Sequence, residues 1–291
     1  MLLFNPQSGS GRHVEAIRGL AADRPWLTLA EAGDSHEATR LTRQGVQDGC
    51  TTVIAAGGDG TVHAVINGLA DQFERARLGV LPAGSANDFA RTLAMPVDLG
   101  EAMAAIDAGH ETRVDVVQAR TAAGDQRYFI NAATGGFSTL MGQKLDDQTK
   151  SRFGGWAYLV AGLKALPEAP RYEVTLTVDG QTLVAEAGAV VVANGRSAGG
   201  LELVPDADPG DGAVDVLLVT AQGLAEHASL LAQYVVNRHL DSEAVIRRRG
   251  RVVQVQSNPP LPFRIDGEEL PSQAERFEVL PRAVRLLAPA A

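Results

Sequence analysis

The run Thr51-Thr52-Val53-Ile54-Ala55-Ala56 leads straight into Gly57-Gly58-Asp59-Gly60-Thr61, and Val62, Val65, Ile66 and Leu69 then recur at helical spacing. An apolar, β-branched run, a glycine turn and an apolar helical stripe describe one strand–loop–helix unit. Units of this kind alternate along a parallel sheet with helices on its faces. Glycines let the backbone approach a ligand closely, and their N–H groups, with the helix N-terminus, form an anion site. Asp59 sets a carboxylate among those donors, where it would repel a bare phosphate. Its use is to hold a cation, or a water bound to one, so the loop reads as a nucleotide-phosphate and magnesium site. The alternative is a tight connection whose glycines serve geometry only.

Two further small-residue loops strengthen the first reading. Leu78–Leu81 reads as a short strand ahead of Pro82-Ala83-Gly84-Ser85-Ala86-Asn87-Asp88, where Asn87 or Asp88 could cap the next helix. Leu2-Leu3-Phe4 leads into Asn5-Pro6-Gln7-Ser8-Gly9. Three such loops are expected to meet at the carboxyl ends of parallel strands, where open α/β sheets place ligands. Helical patterns near His36–Gln47, Val62–Leu69 and Leu99–Asp107 complete the alternation up to Asp115.

From Val116 the texture turns β-rich, with strand patterns at Val114–Ala119, Arg127–Ala132, Tyr172–Val178, Gln181–Ala193, Val214–Thr220, Val252–Gln256 and Phe277–Leu280. Asp179-Gly180 is a strong hairpin signal. Helical inserts are expected at Arg152–Leu166 and Leu224–Leu240, each packing an apolar stripe into a core, with a lipid-facing lid as the alternative for the first. The expected fold class is α/β plus all-β. An N-terminal three-layer α/β nucleotide domain spans residues 1–115, and a β-sandwich-like domain with helical inserts spans 116–281.

Taken together, these segments resemble the bacterial diacylglycerol-kinase-like lipid kinases, which share their catalytic domain with sphingosine kinases. The matching residues are the Asn5–Gly9 loop, Gly57–Thr61, Leu81–Arg91, Arg113-Val114-Asp115, Pro205–Val216 and Ile265-Asp266-Gly267-Glu268. Ala133–Phe137 and the tail Asp266–Leu287 look closest to the YegS branch, whose implied substrate is a glycerolipid such as phosphatidylglycerol. The resemblance adds that residues 282–291 complete the first domain. It implies ATP and Mg2+ as cofactors and a membrane lipid as acceptor, diacylglycerol or phosphatidylglycerol foremost. Glu268 is implied as the general base beside Asp266, with Asp59, Asp88 and Asp115 around the reactive magnesium directly or through water. Read without the resemblance, Asp266-Gly267 is a tight turn, Glu268 a surface acid, and Asp115 a strand-end acid pairing with Arg113.

Nucleotide contacts are implied at Asn5, Leu29, Gly57, Gly58, Asp59, Gly60, Thr61, Val62, His63, Ser85 and Asn87. Ser85 stands where relatives more often carry threonine, and the hydroxyl survives. His63-Ala64 replaces the usual Asn-Glu, and Leu29 replaces a threonine, leaving only its backbone to serve. A separate cation site is implied in Pro205–Ala213, through the Asp211 side chain and the carbonyls of Asp208 and Ala213. Magnesium is the expected ion there, with calcium as the alternative; read alone, the stretch is a solvated acidic turn.

The 291 residues allow two domains, each with its own core. Cys50 is the single cysteine, which excludes an internal disulfide and fits a reducing compartment. No secretory leader pattern or apolar stretch of transmembrane length is present, so the expected location is cytoplasmic, with transient contact at the inner face of the membrane. The net charge of −9 argues against nucleic acid as partner. Arg247-Arg248-Arg249 with Arg251 is the one dense basic cluster, read as a solvated turn between a helix and a strand, or as a contact for lipid headgroups. Oligomeric state is not legible. The competing functions are a kinase of a soluble acceptor such as NAD, sharing the glycine–aspartate loop, and a nucleotide- or lipid-binding regulator without catalysis.

Overall fold

The computed structural model describes residues 1–7, 13–136 and 170–290. The expected helix at Arg152–Leu166, Phe137 and the loop residues Ser8–Arg12 lie outside them. The chain opens with β1 (Leu2–Phe4), α1 (Val14–Ala22), β2 (Leu29–Glu31), α2 (Ser35–Gln47), β3 (Thr52–Gly57), α3 (Asp59–Leu69), β4 (Arg77–Pro82), α4 (Asp88–Thr92) and α5 (Leu99–Ala108). Strands β2-β1-β3-β4 run parallel in that order. Residues 53–57 of β3 are all buried, as expected of a parallel strand covered on both faces. Local chemistry sets the helix ends: the Asp34 carboxylate accepts the Glu37 N–H at α2, and α5 runs from an Asp98 cap to a left-handed Gly109.

The second half is antiparallel. It comprises β5 (Glu111–Thr121), β6 (Gln126–Phe129), β7 (Ala132–Gly136), β8 (Tyr172–Val178), β9 (Gln181–Ala187), β10 (Ala189–Ala193), the short β11 (Ser197–Ala198) and β12 (Leu201–Glu202), and β13 (Val214–Val219). After α6 (Gly223–Val235) come β14 (Val245–Gly250), β15 (Val252–Asn258), β16 (Phe263–Ile265), β17 (Glu268–Glu269) and β18 (Ala274–Leu287). A six-stranded sheet, β14-β13-β10-β7-β16-β17, faces the antiparallel part of a ten-stranded sheet. Their inward side chains form one core, with Phe277 edge-on to both Phe129 and Phe263 at centroid distances of 6.1 and 5.2 Å. This is the expected α/β plus sandwich-like architecture.

β18 belongs to both halves. Arg285–Leu287 pair in parallel with Arg77–Gly79 of β4, while Arg276–Glu278 pair antiparallel with Val252–Gln254 of β15. β5 pairs with β18 along nearly its whole length. Val284, Leu286 and Leu287 accordingly sit in the core of the α/β half, and Phe277 and Val279 in the sandwich core.

Four local expectations need correction. The pattern at Arg127–Ala132 splits at Ile130-Asn131, where the chain leaves one sheet for the other, and Gln181–Ala193 splits likewise at Gly188. Continuous apolar character does not reveal a change of sheet, because both sheets feed the same core. Arg247–Arg249 lie within β14 rather than in a turn, with Arg247 and Arg249 drawn onto acidic partners. The helical pattern at Leu224–Leu240 ends at Val235, and no residue of α6 is buried.

Candidate active site

The two glycine loops touch. A Cβ on Gly84 would stand 2.2 Å from the Gly58 Cα, so the loop after β4 lies against the loop after β3 only because both positions lack side chains. Asn87 holds this crossing from a left-handed backbone (φ 52°), its carboxamide exchanging hydrogen bonds with Gly84 N and O at 2.9 and 3.0 Å. Thr61 folds back over Gly57, leaving no room for a Cβ there. Gly58, Gly60, Thr61, Gly84 and Ser85 then line a cleft of about 350 Å³ together with Asn5, Asp34, Ser35, Ala38, Ala64 and Glu268.

Glu268 reaches this cleft from the other half of the molecule. Its Oε1 lies 3.9 Å from where a Gly60 Cβ would be. Asp266-Gly267 form a two-residue hairpin turn between β16 and β17, with φ of 46° and 91°, as a type I′ turn requires. The Asp266 carboxylate is almost fully buried and accepts the N–H groups of Ile130, Asn131 and Ala132, each at 3.0 Å. Three donors on one carboxylate fix the turn that presents Glu268.

Asp59 has both Asp88 and Asp266 as neighbouring charges. Asp59 Oδ1 accepts Phe89 N–H at 3.1 Å and the Asn131 amide at 3.4 Å. Burial, with the Asp88 charge second, pushes the Asp59 carboxyl up to about 6. Asp88 is buried, takes Gly200 N–H on Oδ2 at 3.0 Å and contacts the Arg91 guanidinium through Oδ1.

Several expected residues stand elsewhere. Asp115 is buried against the 208–213 loop instead: its oxygens accept Gly212 N–H and Arg282 N–H, both at 2.6 Å, and Asp211 and Asp208 are the neighbouring charges that raise its pKa after burial itself. Nor does Asp115 pair with Arg113, which forks onto Glu74 at 2.6 and 2.9 Å. Val62 points into the α/β core, and Leu29 packs at its edge. His63 is buried behind the cleft rather than lining it. Asp34, Ser35 and Asn131 were missed; the Asp34-Ser35 helix start was legible, but not its folding beside the glycine loops.

Two family models match the chain: the diacylglycerol kinase catalytic domain over residues 1–119, and the YegS C-terminal NAD kinase beta sandwich-like domain over 131–288. The chain belongs to the diacylglycerol kinase family. Within that family it is 33% identical to the diacylglycerol kinase of Staphylococcus carnosus (strain TM300), over 92% of this chain and 87% of that one. A second relative, the diacylglycerol kinase of Staphylococcus aureus (strain bovine RF122 / ET3-1), is 32% identical over 99% of this chain and 91% of its own length. A crystal structure of a proposed diacylglycerol kinase from Bacillus anthracis str. Sterne superposes with a TM-score of 0.80 at 26% identity, covering 99% of this chain and 94% of that one.

Diacylglycerol kinase family membership implies a divalent cation, and the two candidate places differ in fitness. Asp59 Oδ1 carries two hydrogen bonds, and burial with the Asp88 charge disfavours its ionised form, a cost that a cation beside it would relieve. The 205–213 loop does not fit in this way. Asp211 spends Oδ1 on Ala213 N–H at 3.0 Å and Oδ2 on the Arg249 guanidinium. Asp206 and Asp215 are held by Arg247 at 3.0 and 2.8 Å. Among the described residues, no three acidic, histidine or cysteine side chains converge as a metal cage. No helix among them is long and apolar enough to cross a membrane.

Proposed function

We propose that this chain transfers the γ-phosphoryl group of ATP to the hydroxyl of a membrane lipid, diacylglycerol or phosphatidylglycerol, with Glu268 as general base. The observation that carries this reading is the meeting of Glu268 with Gly58, Gly60, Thr61, Gly84 and Ser85 around one cleft. The backbone N–H groups of the glycine loops and the N-terminus of α3 bind and orient the nucleotide phosphates. Asp59 would hold a magnesium ion, with Asp88 beside it as a second negative charge, and the ion would supply charge neutralisation at the transferring group. Glu268, held by the Asp266 turn, takes the proton from the acceptor hydroxyl as that oxygen attacks in line. Its exposure on the cleft leaves room for a headgroup carrying the hydroxyl. The lipid is met by transient contact at the membrane surface.

The deciding experiment is transfer of radiolabelled phosphate from Mg·ATP to a panel of lipids in mixed micelles, with Glu268→Gln alongside. One labelled lipid is expected, with turnover in the variant reduced about 10²–10⁴-fold while ATP binding persists. Near-normal turnover in Glu268→Gln removes the base from this scheme. ATP binding without any lipid product moves the reading to a soluble acceptor or a non-catalytic regulator.

A further inference from the structure

His63 sits on α3 one turn beyond the glycine loop, and its ring lies between two anchors. Nε2 is 3.2 Å from the Asn67 amide nitrogen, while Nδ1 faces Asp266 Oδ2 at 3.5 Å, both side chains being nearly buried. The two Asn67 amide N–H groups go to His63 O and Tyr128 O at 2.9 and 2.8 Å, which leaves Nε2 in contact only; Nδ1 faces a carboxylate, which only accepts, so the form that can bond Asp266 carries its ring proton on Nδ1. Asn67 also locks α3 to β6, exchanging hydrogen bonds with Tyr128 O and N at 2.8 and 3.0 Å. Asp266 in turn holds the next residues, Ile130, Asn131 and Ala132. The ring therefore bridges the helix of the phosphate loop and the turn that presents Glu268, the two parts that come from different halves of the molecule.

One side of the bridge is incomplete. Nδ1 is buried without a hydrogen-bond partner, and 3.5 Å exceeds the direct N–H···O range. Bonds that align catalytic groups are often long before substrate binds and tighten in the complex.

We propose that His63 is a positioning residue: its Nδ1–H closes on Asp266 when substrate draws the two halves together, fixing Glu268 over the phosphate cleft. This rests on the assignment of Glu268 as base. His63 lies outside the cleft lining, so the effect falls on turnover rather than on nucleotide affinity.

The test is steady-state kinetics of the full chain with His63→Leu, His63→Asn, Glu268→Gln and the double variant His63→Leu/Glu268→Gln. His63→Leu is expected to lower kcat roughly 10–100-fold with the KM for ATP changed less than about threefold. His63→Asn, whose amide nitrogen can stand near the Nδ1 position, should recover most of the loss. In the Glu268→Gln background, His63→Leu should lower the residual rate less than about threefold, because it acts through Glu268. Overturning results are kcat within about twofold of wild type in folded His63→Leu, a raised KM with kcat intact, or an undiminished His63→Leu loss in the Glu268→Gln background. If His63→Leu is too unstable to assay, His63→Phe restores ring volume without a donor and carries the same expectation. Wild-type-like turnover in Glu268→Gln would instead overturn the base assignment, and with it the proposed action of His63 through that residue.

Discussion

Replacing Asp59 with asparagine should make the ligand-free protein more stable and at the same time inactive. Burial and the neighbouring Asp88 raise the Asp59 carboxyl from 3.8 to about 6. A rise of roughly two pH units corresponds to about 3 kcal/mol by which the folded state disfavours the charged form. For an acid with a raised folded-state pKa, this penalty is absent below the unfolded pKa near 4, grows between about 4 and 6, and is complete above that. The Asp59→Asn carboxamide would keep an oxygen for Phe89 N–H and remove the charge, so the gain at pH 7.5 should approach that figure, on the order of 5 °C in melting temperature. At pH 4 the two proteins should melt together. Under the proposed magnesium role of Asp59, Mg·ATP should raise the melting temperature of wild type and not of Asp59→Asn, whose carboxamide would not hold the cation. Melting curves from pH 4 to 8, with and without Mg·ATP, read all of this. A variant less stable than wild type at pH 7.5, or a difference that does not change with pH, refutes the reasoning.

The other expectations are more local. Gly84→Ala forces a methyl group into the Gly58 backbone, so calorimetry should find Mg·ATP binding lost, with a stability loss of about 1–3 kcal/mol from overpacking. Arg249→Gln frees Asp211 Oδ2, so this variant, unlike wild type, should gain a magnesium-dependent rise in melting temperature without nucleotide; a wild-type melting point that falls on chelation would contradict the reading of that loop.

Much of the site was legible because its parts are local. A strand, a glycine turn and a helix are neighbours in sequence, so the glycine loop could be placed before any contact was known. The same holds for the Asp179-Gly180 hairpin, whose φ values of 46° and 83° are those of a type I′ turn. What could not be read depends on pairings between distant residues. Asp115 looked like a third carboxylate for the reactive cation, yet its partners are backbone N–H groups at Gly212 and Arg282. Arg249 and Asp211 stand on separate elements, and only folding shows that one neutralises the other. The apolar positions of α6 suggested burial, but periodicity reports a face and not whether anything covers it. Resemblance named Glu268, while its support by Ile130, Asn131 and Ala132 through Asp266 has no local signature.

The sharing of β18 also bears on how the chain is made. Arg285–Leu287 cover the open side of β4 at Arg77–Gly79, so the parallel sheet lacks its last partner until about 200 further residues have been synthesised. At translation rates of about 5–20 residues per second, that interval is on the order of 10–40 s. Through it, β4 presents an unpaired and largely apolar edge beside an otherwise finished layer, the kind of template on which nascent chains associate. Arrival of the final strand closes that edge and extends the sandwich sheet in one event. The two halves are therefore expected to reach their finished states together, the first waiting on the last, whatever their separate stabilities.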